Sequence, residues 1–170
     1  RDLLPHAPAS EAAADFDHGY AQQLGLALIN DPLRWPRGGE YLRMAARGIP
    51  ALGPAMFVQI AKAHDRAGDP EGAWHNYRMV KVAGHAAGPK NLSPEDYHTY
   101  YAVVKLLAEE AANNGNLEQA IEDYLLYREY ERSGKETYRA LAGLYEQQKD
   151  VWAALHATEQ GLVYDPRDKD

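Results

Sequence analysis

The chain has no cysteine. Disulfides, thiolate nucleophiles and cysteine-ligated zinc are excluded together, and a cysteine-free chain suits reducing and oxidising compartments alike. Phenylalanine is scarce too, at two residues against twelve tyrosines, so most aromatic packing must use side chains that carry a hydroxyl. Lys and Arg number 18 against 25 Asp and Glu, a net charge of −7. That leaves no basic footprint for nucleic acid and no Lys/Arg-rich helix for an anionic membrane surface. No apolar run approaches the roughly 18 residues of a membrane span, and the opening RDLLPHAPAS lacks a signal-peptide pattern. The first residue is not Met, and the expectation is a segment of a larger polypeptide. What is present suits a folded protein. Its 170 residues, 45% hydrophobic and 25% charged, can bury a core as one domain without metal or disulfide.

The informative pattern is recurrence. Ala108, Gly115, Ala120 and Tyr124 are spaced by seven, five and four residues; Ala61, Gly68, Ala73 and Tyr77 repeat those intervals upstream, and Ala142, Lys149, Ala154 and Thr158 repeat them downstream. Each copy reads as helix, tight turn, helix. Gly tolerates the left-handed conformation that ends a helix, and the next residue, Asp69, Asn116 or Asp150, can cap the following one. Pro70 is a favoured first helical residue, and Gln119 could reciprocate the Asn116 cap. The alanines let paired helices approach closely, while Phe57 and Ile60, Val104 and Leu107, and Tyr138 and Leu141 recur at i, i+3 as an apolar stripe. Gly115 to Lys149 is 34 residues but Gly68 to Gly115 is 47, so an insertion separates the first two copies. Gly88-Pro89 places a break there, and Ser93-Pro94-Glu95-Asp96 is a strong helix start.

These residues resemble the tetratricopeptide repeat family, whose unit is a 34-residue helical hairpin. The resemblance covers about residues 54–166, including Asp165-Pro166 at the position of the proline that commonly ends a unit. Lys149 for the turn glycine, Thr158 for an aromatic, and Val80 and Tyr127 for small residues depart from the pattern. The resemblance implies an all-α fold, a right-handed superhelix of stacked antiparallel helix hairpins. The expected organisation is one domain over residues 1–170. Repeat units occupy 54–84, 94–132 and 135–166, an insertion loop 85–93, and a degenerate helix pair 10–50. In that pair Ser10 caps a helix through Ile29, a turn-rich Leu33–Gly39 follows, and a shorter helix ends near Gly48 and Pro50.

The implied activity is binding of a protein or peptide by a scaffolding module, not catalysis. Projected through the resemblance, the inner surface presents Gln59, Lys62 and Arg66, then Lys105, Glu109 and Asn113, then Arg139, Gly143 and Glu146. Members that grip the acidic C-termini of heat-shock chaperones need Lys, Asn and Arg at sites held here by Val58, Leu106, Glu136 and Ala140, so that clamp is not expected. Self-association through the C-terminal helix pair is a further expectation. Tyr124, Tyr127 and Tyr130 at every third residue, or Tyr97, Tyr100 and Tyr101, could receive a partner, although Tyr77 and Tyr124 occupy equivalent core slots.

Residues capable of chemistry are present but not arranged for it. Seven histidines form no helical metal-binding pair, and His64 reads as a packing residue with one satisfied nitrogen. Glu109-Glu110, Glu122-Asp123 and Glu129-Tyr130-Glu131 read as solvated faces, and no phosphate-cradling loop or nucleophile elbow occurs. No metal, cofactor or catalytic residue is expected. The alternative is a small-molecule-binding or regulatory domain of an enzyme, with a pocket at the insertion formed by His85, Lys90, Asp96 and His98.

Overall fold

The computed structural model describes residues 17–130 and 134–164, so Ser10, Asp165 and Pro166 and the ends of the expected N-terminal pair and C-terminal unit lie outside the described residues. The described chain is all-α. Its helices are α1 His18–Leu28, α2 Trp35–Gly48, α3 Gly53–Arg66, α4 Pro70–Ala87, α5 Pro94–Asn113, α6 Leu117–Tyr127, α7 Lys135–Gln147 and α8 Val151–Tyr164, with single 3-10 turns at Pro50–Leu52 and Pro89–Asn91.

Three of the helix-to-helix turns are built alike, at the positions where the sequence recurs. Gly68, Gly115 and Lys149 are all left-handed, with φ of 72°, 73° and 64°. After each, the next residue's N–H reaches back five residues: Asp69 to the His64 carbonyl, Asn116 to Ala111 and Asp150 to Tyr145. The left-handed residue's own N–H reaches back three, to Asp65, Ala112 and Glu146 respectively. This double bond pattern satisfies carbonyls that the helix end would otherwise leave unpaired. The following side chain then caps the next helix. Asp69 accepts from the Gly72 N–H at 2.9 Å, Asp150 from Ala153 at 3.0 Å and Asn116 from Gln119 at 3.5 Å. Gln119 does not reciprocate that cap; its amide donates to Glu122 Oε2 at 3.4 Å.

The turns fold α3 onto α4, α5 onto α6 and α7 onto α8, and α1 pairs with α2 in the same manner. Consecutive hairpins join through α2–α3, α4–α5 and α6–α7, and α3 also packs directly on α5. The result is a stack of antiparallel hairpins, an α-solenoid, in which each hairpin completes its core on its neighbours. Ala61, Ala108 and Ala142 on first helices and Ala73, Ala120 and Ala154 on second helices are buried where helices come close. One cluster joins Val80 of α4 to Tyr100, Val104 and Leu107 of α5, and a second joins Ile121 and Tyr124 of α6 to Leu141 and Leu144 of α7.

Two expectations are corrected. Of the insertion loop 85–93, residues 85–87 are helical, because α4 continues to Ala87 before Gly88, at φ 77°, ends it. The insertion is taken up mainly as helix: α4 has 18 residues against 11 in α6, and α5 has 20 against 13 in α7. In the N-terminal pair, α1 begins at His18, after Asp17, which has extended backbone and caps the helix through the Tyr20 N–H; the expected start at Ser10 lies outside the described residues. The stretch Trp35–Gly39, read as turn, is the start of α2. Pro36 is compatible with a first helical turn, and the glycines serve packing. A Cβ on Gly38 would lie 2.8 Å from the Ile29 nitrogen, and one on Gly25 would lie 2.6 Å from Leu42 Cδ2. Tertiary contact outweighs the weak helix propensity of glycine, a cost of about 1 kcal/mol per residue.

Lys149 holds a backbone conformation that costs an L-residue with a side chain roughly 1 kcal/mol or more. Lys149→Gly is therefore expected to raise stability by about 1 kcal/mol, and Gly115→Ala to lower it by a similar amount. Urea denaturation midpoints check this, and an unchanged midpoint for Lys149→Gly would remove strain at the third turn from the account.

Candidate functional site

The first helices carry the projected binding residues. On α3, Lys62 and Arg66 are exposed and Gln59 is half-buried; on α5, Lys105, Glu109 and Asn113 are exposed. Because α3 packs on α5, these two sets belong to neighbouring helices. On α7, Arg139 and Glu146 are exposed and Gly143 is half-buried. Several of the residues have structural partners. The Arg66 guanidinium donates to the Ile29 carbonyl at 3.1 Å, tying α3 to the end of α1, and Lys105 sits 3.7 Å from Glu109 and 6.0 Å over the Tyr127 ring. An exposed i, i+4 pair contributes little stability.

The concave features lie elsewhere. A groove of about 960 Å³ runs between α4 and α6 with the C-terminal half of α5 beside them, its lining including Arg78, Lys81, Glu110, Glu122 and Asp123. A smaller one, about 340 Å³, lies among α2, α3 and α4, lined by Arg43, Arg47, Phe57, His75, Asn76 and Met79 among others. None of the nine projected binding residues lines either groove.

The two grooves are copies of one another. His75, Asn76, Met79 and Val82 of the smaller correspond, at the same 47-residue interval that separates Gly68 from Gly115, to Glu122, Asp123, Leu126 and Glu129 of the larger. Each groove is bordered on the earlier second helix by cations, Arg43 and Arg47 on α2 and Arg78 and Lys81 on α4. The larger groove is internally neutralised. Lys81 Nζ lies 2.5 Å from Asp123 Oδ1 and 3.0 Å from Glu122 Oε1, and Arg78 lies 3.7 Å from Glu110. Asp123 is only 2% exposed. Burial works against the Lys81 ammonium, but its hydrogen bonds to Asp123 and Glu122 outweigh that and hold its pKa above the usual lysine range. The ion pair thus ties second helices of successive hairpins. Sequence reading took Glu122-Asp123 for a solvated face; that holds for Glu122 and fails for Asp123. The available signal was the repeat register, which puts Asn76, Asp123 and Ala157 at one position four residues before Val80, Tyr127 and Gly161.

The tyrosines are core rather than receptor surface. Tyr100 and Tyr101 are fully buried, Tyr130 and Tyr124 are buried, and Tyr97 and Tyr127 pack against the same cluster. Tyr101 and Tyr130 stack at 5.2 Å between centroids. The Tyr130 hydroxyl is bonded to His98 Nδ1 at 2.7 Å, while Asp96 is engaged by Ser93 at the start of α5. His85 is exposed and borders the larger groove, and Asp96 and His98 are engaged by Ser93 and Tyr130 rather than by His85 or Lys90. His64 packs edge-on against Trp35 at 4.8 Å, with Nδ1 2.8 Å from Asp69 Oδ2. The backbone bond from Gly72 and then the bond with His64 lower the Asp69 pKa. Among the described residues no cluster of three or more His, Asp or Glu is placed to hold a metal ion, and no helix is long and apolar enough to cross a membrane.

The class that the fold and grooves define is a helical-hairpin repeat protein. No protein-family model matches the chain, and no curated protein does. Among solved structures, one titled "MamA MSR-1 C2" is 21% identical, with 93% of this chain and 82% of that one covered and a TM-score of 0.46. The fold assignment stands on the helices and turns described above.

Removing one partner of the buried pair leaves an uncompensated charge. Lys81→Met alone is expected to destabilise by about 3 kcal/mol, with most of the loss recovered in Lys81→Met/Asp123→Leu. Equal losses in the single and double variants, in chemical denaturation, would show that the pair is not the source. A second expectation concerns alkaline titration. Burial, and then the bond to Asp65, push the Tyr77 pKa up to about 12, and burial raises those of Tyr100 and Tyr101. A phenol with a raised folded-state pKa supports the fold fully below its ordinary value near 10 and loses that contribution as pH rises through the folded value. Phenolate absorbance from these residues should therefore appear together with loss of helical circular dichroism above about pH 10, whereas full ionisation at unchanged helicity would contradict it.

Proposed function

We propose that the chain is a protein-interaction module, binding a peptide or protein surface along its first helices as part of a larger polypeptide. The observation that carries this reading is the α3–α5 surface. Two first helices packed on one another present Lys62, Arg66, Lys105, Glu109 and Asn113 outward, and Arg139 and Glu146 continue the exposed polar set on α7. Such a face offers charge and hydrogen bonds of both signs to an extended partner, while the rigid helices beneath keep its spacing fixed. Self-association is a second use of the same module. Val151, Trp152, Leu155 and Val163 of α8 are exposed, Trp152 at 81%, and Leu155 stands at the repeat position where Ile121 is covered by α7.

The alternative is a small-molecule-binding or regulatory domain of an enzyme. It is favoured by the larger groove, which falls in the size range of ligand sites and contains His85. Tyr97, Tyr100 and Tyr101 line neither groove, so a ligand would use the α4–α6 side rather than the tyrosines.

Affinity capture with the chain, beside a Lys62→Glu/Lys105→Glu/Arg139→Glu variant of unchanged circular dichroism, tests the reading. The expected result is a protein partner retained by the native chain and reduced about tenfold or more for the variant, each reversed charge at a binding face being worth on the order of 1 kcal/mol. Equal capture by both would move binding off the first helices.

A further inference from the structure

The smaller groove differs from its copy in one chemical respect. In the α4–α6 groove, Glu122 and Asp123 neutralise Lys81 from across the gap. At the same two repeat positions the α2–α4 groove has His75 and Asn76, and Arg43 and Arg47 on its opposite border form no ion pair or hydrogen bond with the described residues. The groove therefore holds two guanidinium groups that no carboxylate among the described residues answers, within a chain of net charge −7.

A second observation at the same place points to a ligand. Asn76 is 1% exposed and borders the groove. Its amide nitrogen donates to the Gly72 carbonyl at 2.8 Å, an acceptor only, which fixes the orientation of the amide. The other end, Oδ1, is buried with no hydrogen-bond partner. A buried acceptor left unbonded is costly, and native structures rarely keep one without a use. The groove thus combines two cationic donors, one orphan acceptor, and apolar walls from Phe57, Met79 and Val82.

We infer that the α2–α4 groove is a recognition site for an acidic peptide segment, with Arg43 and Arg47 holding its carboxylate and Asn76 Oδ1, enclosed in the unliganded groove, accepting a main-chain N–H once the side chains over it part. A peptide fits better than a simple anion because an ionised carboxylate or sulfate answers the arginines but offers no proton to Oδ1. An acidic residue in a chain supplies both groups a short distance apart, and its aliphatic part suits the apolar walls. Guanidinium groups are well matched to carboxylates because they can bond both oxygens. The inference rests on the protein-interaction reading and assigns it a second surface, distinct from the first helices.

Fluorescence polarisation with a fluorescein-labelled hexaglutamate peptide, hexalysine as control and sodium glutarate as competitor, tests it on the native chain. Hexaglutamate should bind and hexalysine should not. Arg43→Glu/Arg47→Glu should weaken binding at least tenfold, and Asn76→Leu several-fold, with helicity unchanged in each case. Lys62→Glu/Lys105→Glu/Arg139→Glu should leave it within twofold. The absence of hexaglutamate binding, or binding that survives the double arginine reversal, overturns the assignment. So does displacement by glutarate at concentrations equal in carboxylate, which would mark a site for anions in general. Sensitivity to the lysine reversals alone would overturn this groove while leaving the module's proposed activity on its first helices intact. If Asn76→Leu fails to fold, the arginine variants and the competition still decide the matter.

Discussion

A left-handed residue after the first helix is the constraint on which the array depends. It lets the chain reverse within a few residues and still pair the last carbonyls of one helix, and it places the next residue where its side chain caps the following helix. Gly68, Gly115 and Lys149 meet that demand at nearly the same φ. Because the turns are alike, small residues meet small residues between helices, and the hairpins can stack without each joint being solved anew. Lys149 shows that the geometry, not the glycine, is what the fold requires.

Stacking also creates the grooves. Successive second helices are set apart by the first helix between them, and the gap is bordered by whatever the repeat register brings there. The α4–α6 gap is closed electrostatically by Lys81 and Asp123. The α2–α4 gap carries cations on one side and an amide on the other. One architectural position therefore serves as an internal tie in one repeat and is left chemically open in the preceding one. Three repeat positions account for the difference, Glu110, Glu122 and Asp123 in the larger groove standing where Ala63, His75 and Asn76 stand in the smaller.

Most of the fold was legible in the sequence because its determinants are local. The intervals around Gly115 marked the hairpins, and Ser93-Pro94 marked the start of α5. The failures occurred where tertiary contact overrides local signal. Trp35–Gly39 has the composition of a turn, yet Gly38 is helical because its missing side chain lets α1 and α2 touch. His85–Ala87 looked like loop beside Gly88-Pro89, yet helix runs up to the break. The sites were less legible still. Surface charge on first helices can be projected from a repeat, and Lys62, Lys105 and Arg139 are indeed exposed. That Asp123 is buried while Glu122 beside it is not depends on which face of α6 meets α4, and a single run of acidic letters carries no trace of it.

The lengthened pair of helices has a consequence for how such a chain can change over time. Both α4 and α5 exceed their counterparts, α6 and α7, by seven residues, which is about two turns at about 3.6 residues per turn. A whole number of turns returns every side chain to the face it had before. Val80, Val104 and Leu107 can then remain inward while the joint between the two hairpins lengthens. Growth by two or five residues on one helix alone would rotate the added end by a large fraction of a turn and carry polar residues into the joint. Insertions in this architecture are thus quantised and paired, so that deletions should be tolerated only when both helices shorten together by complete turns.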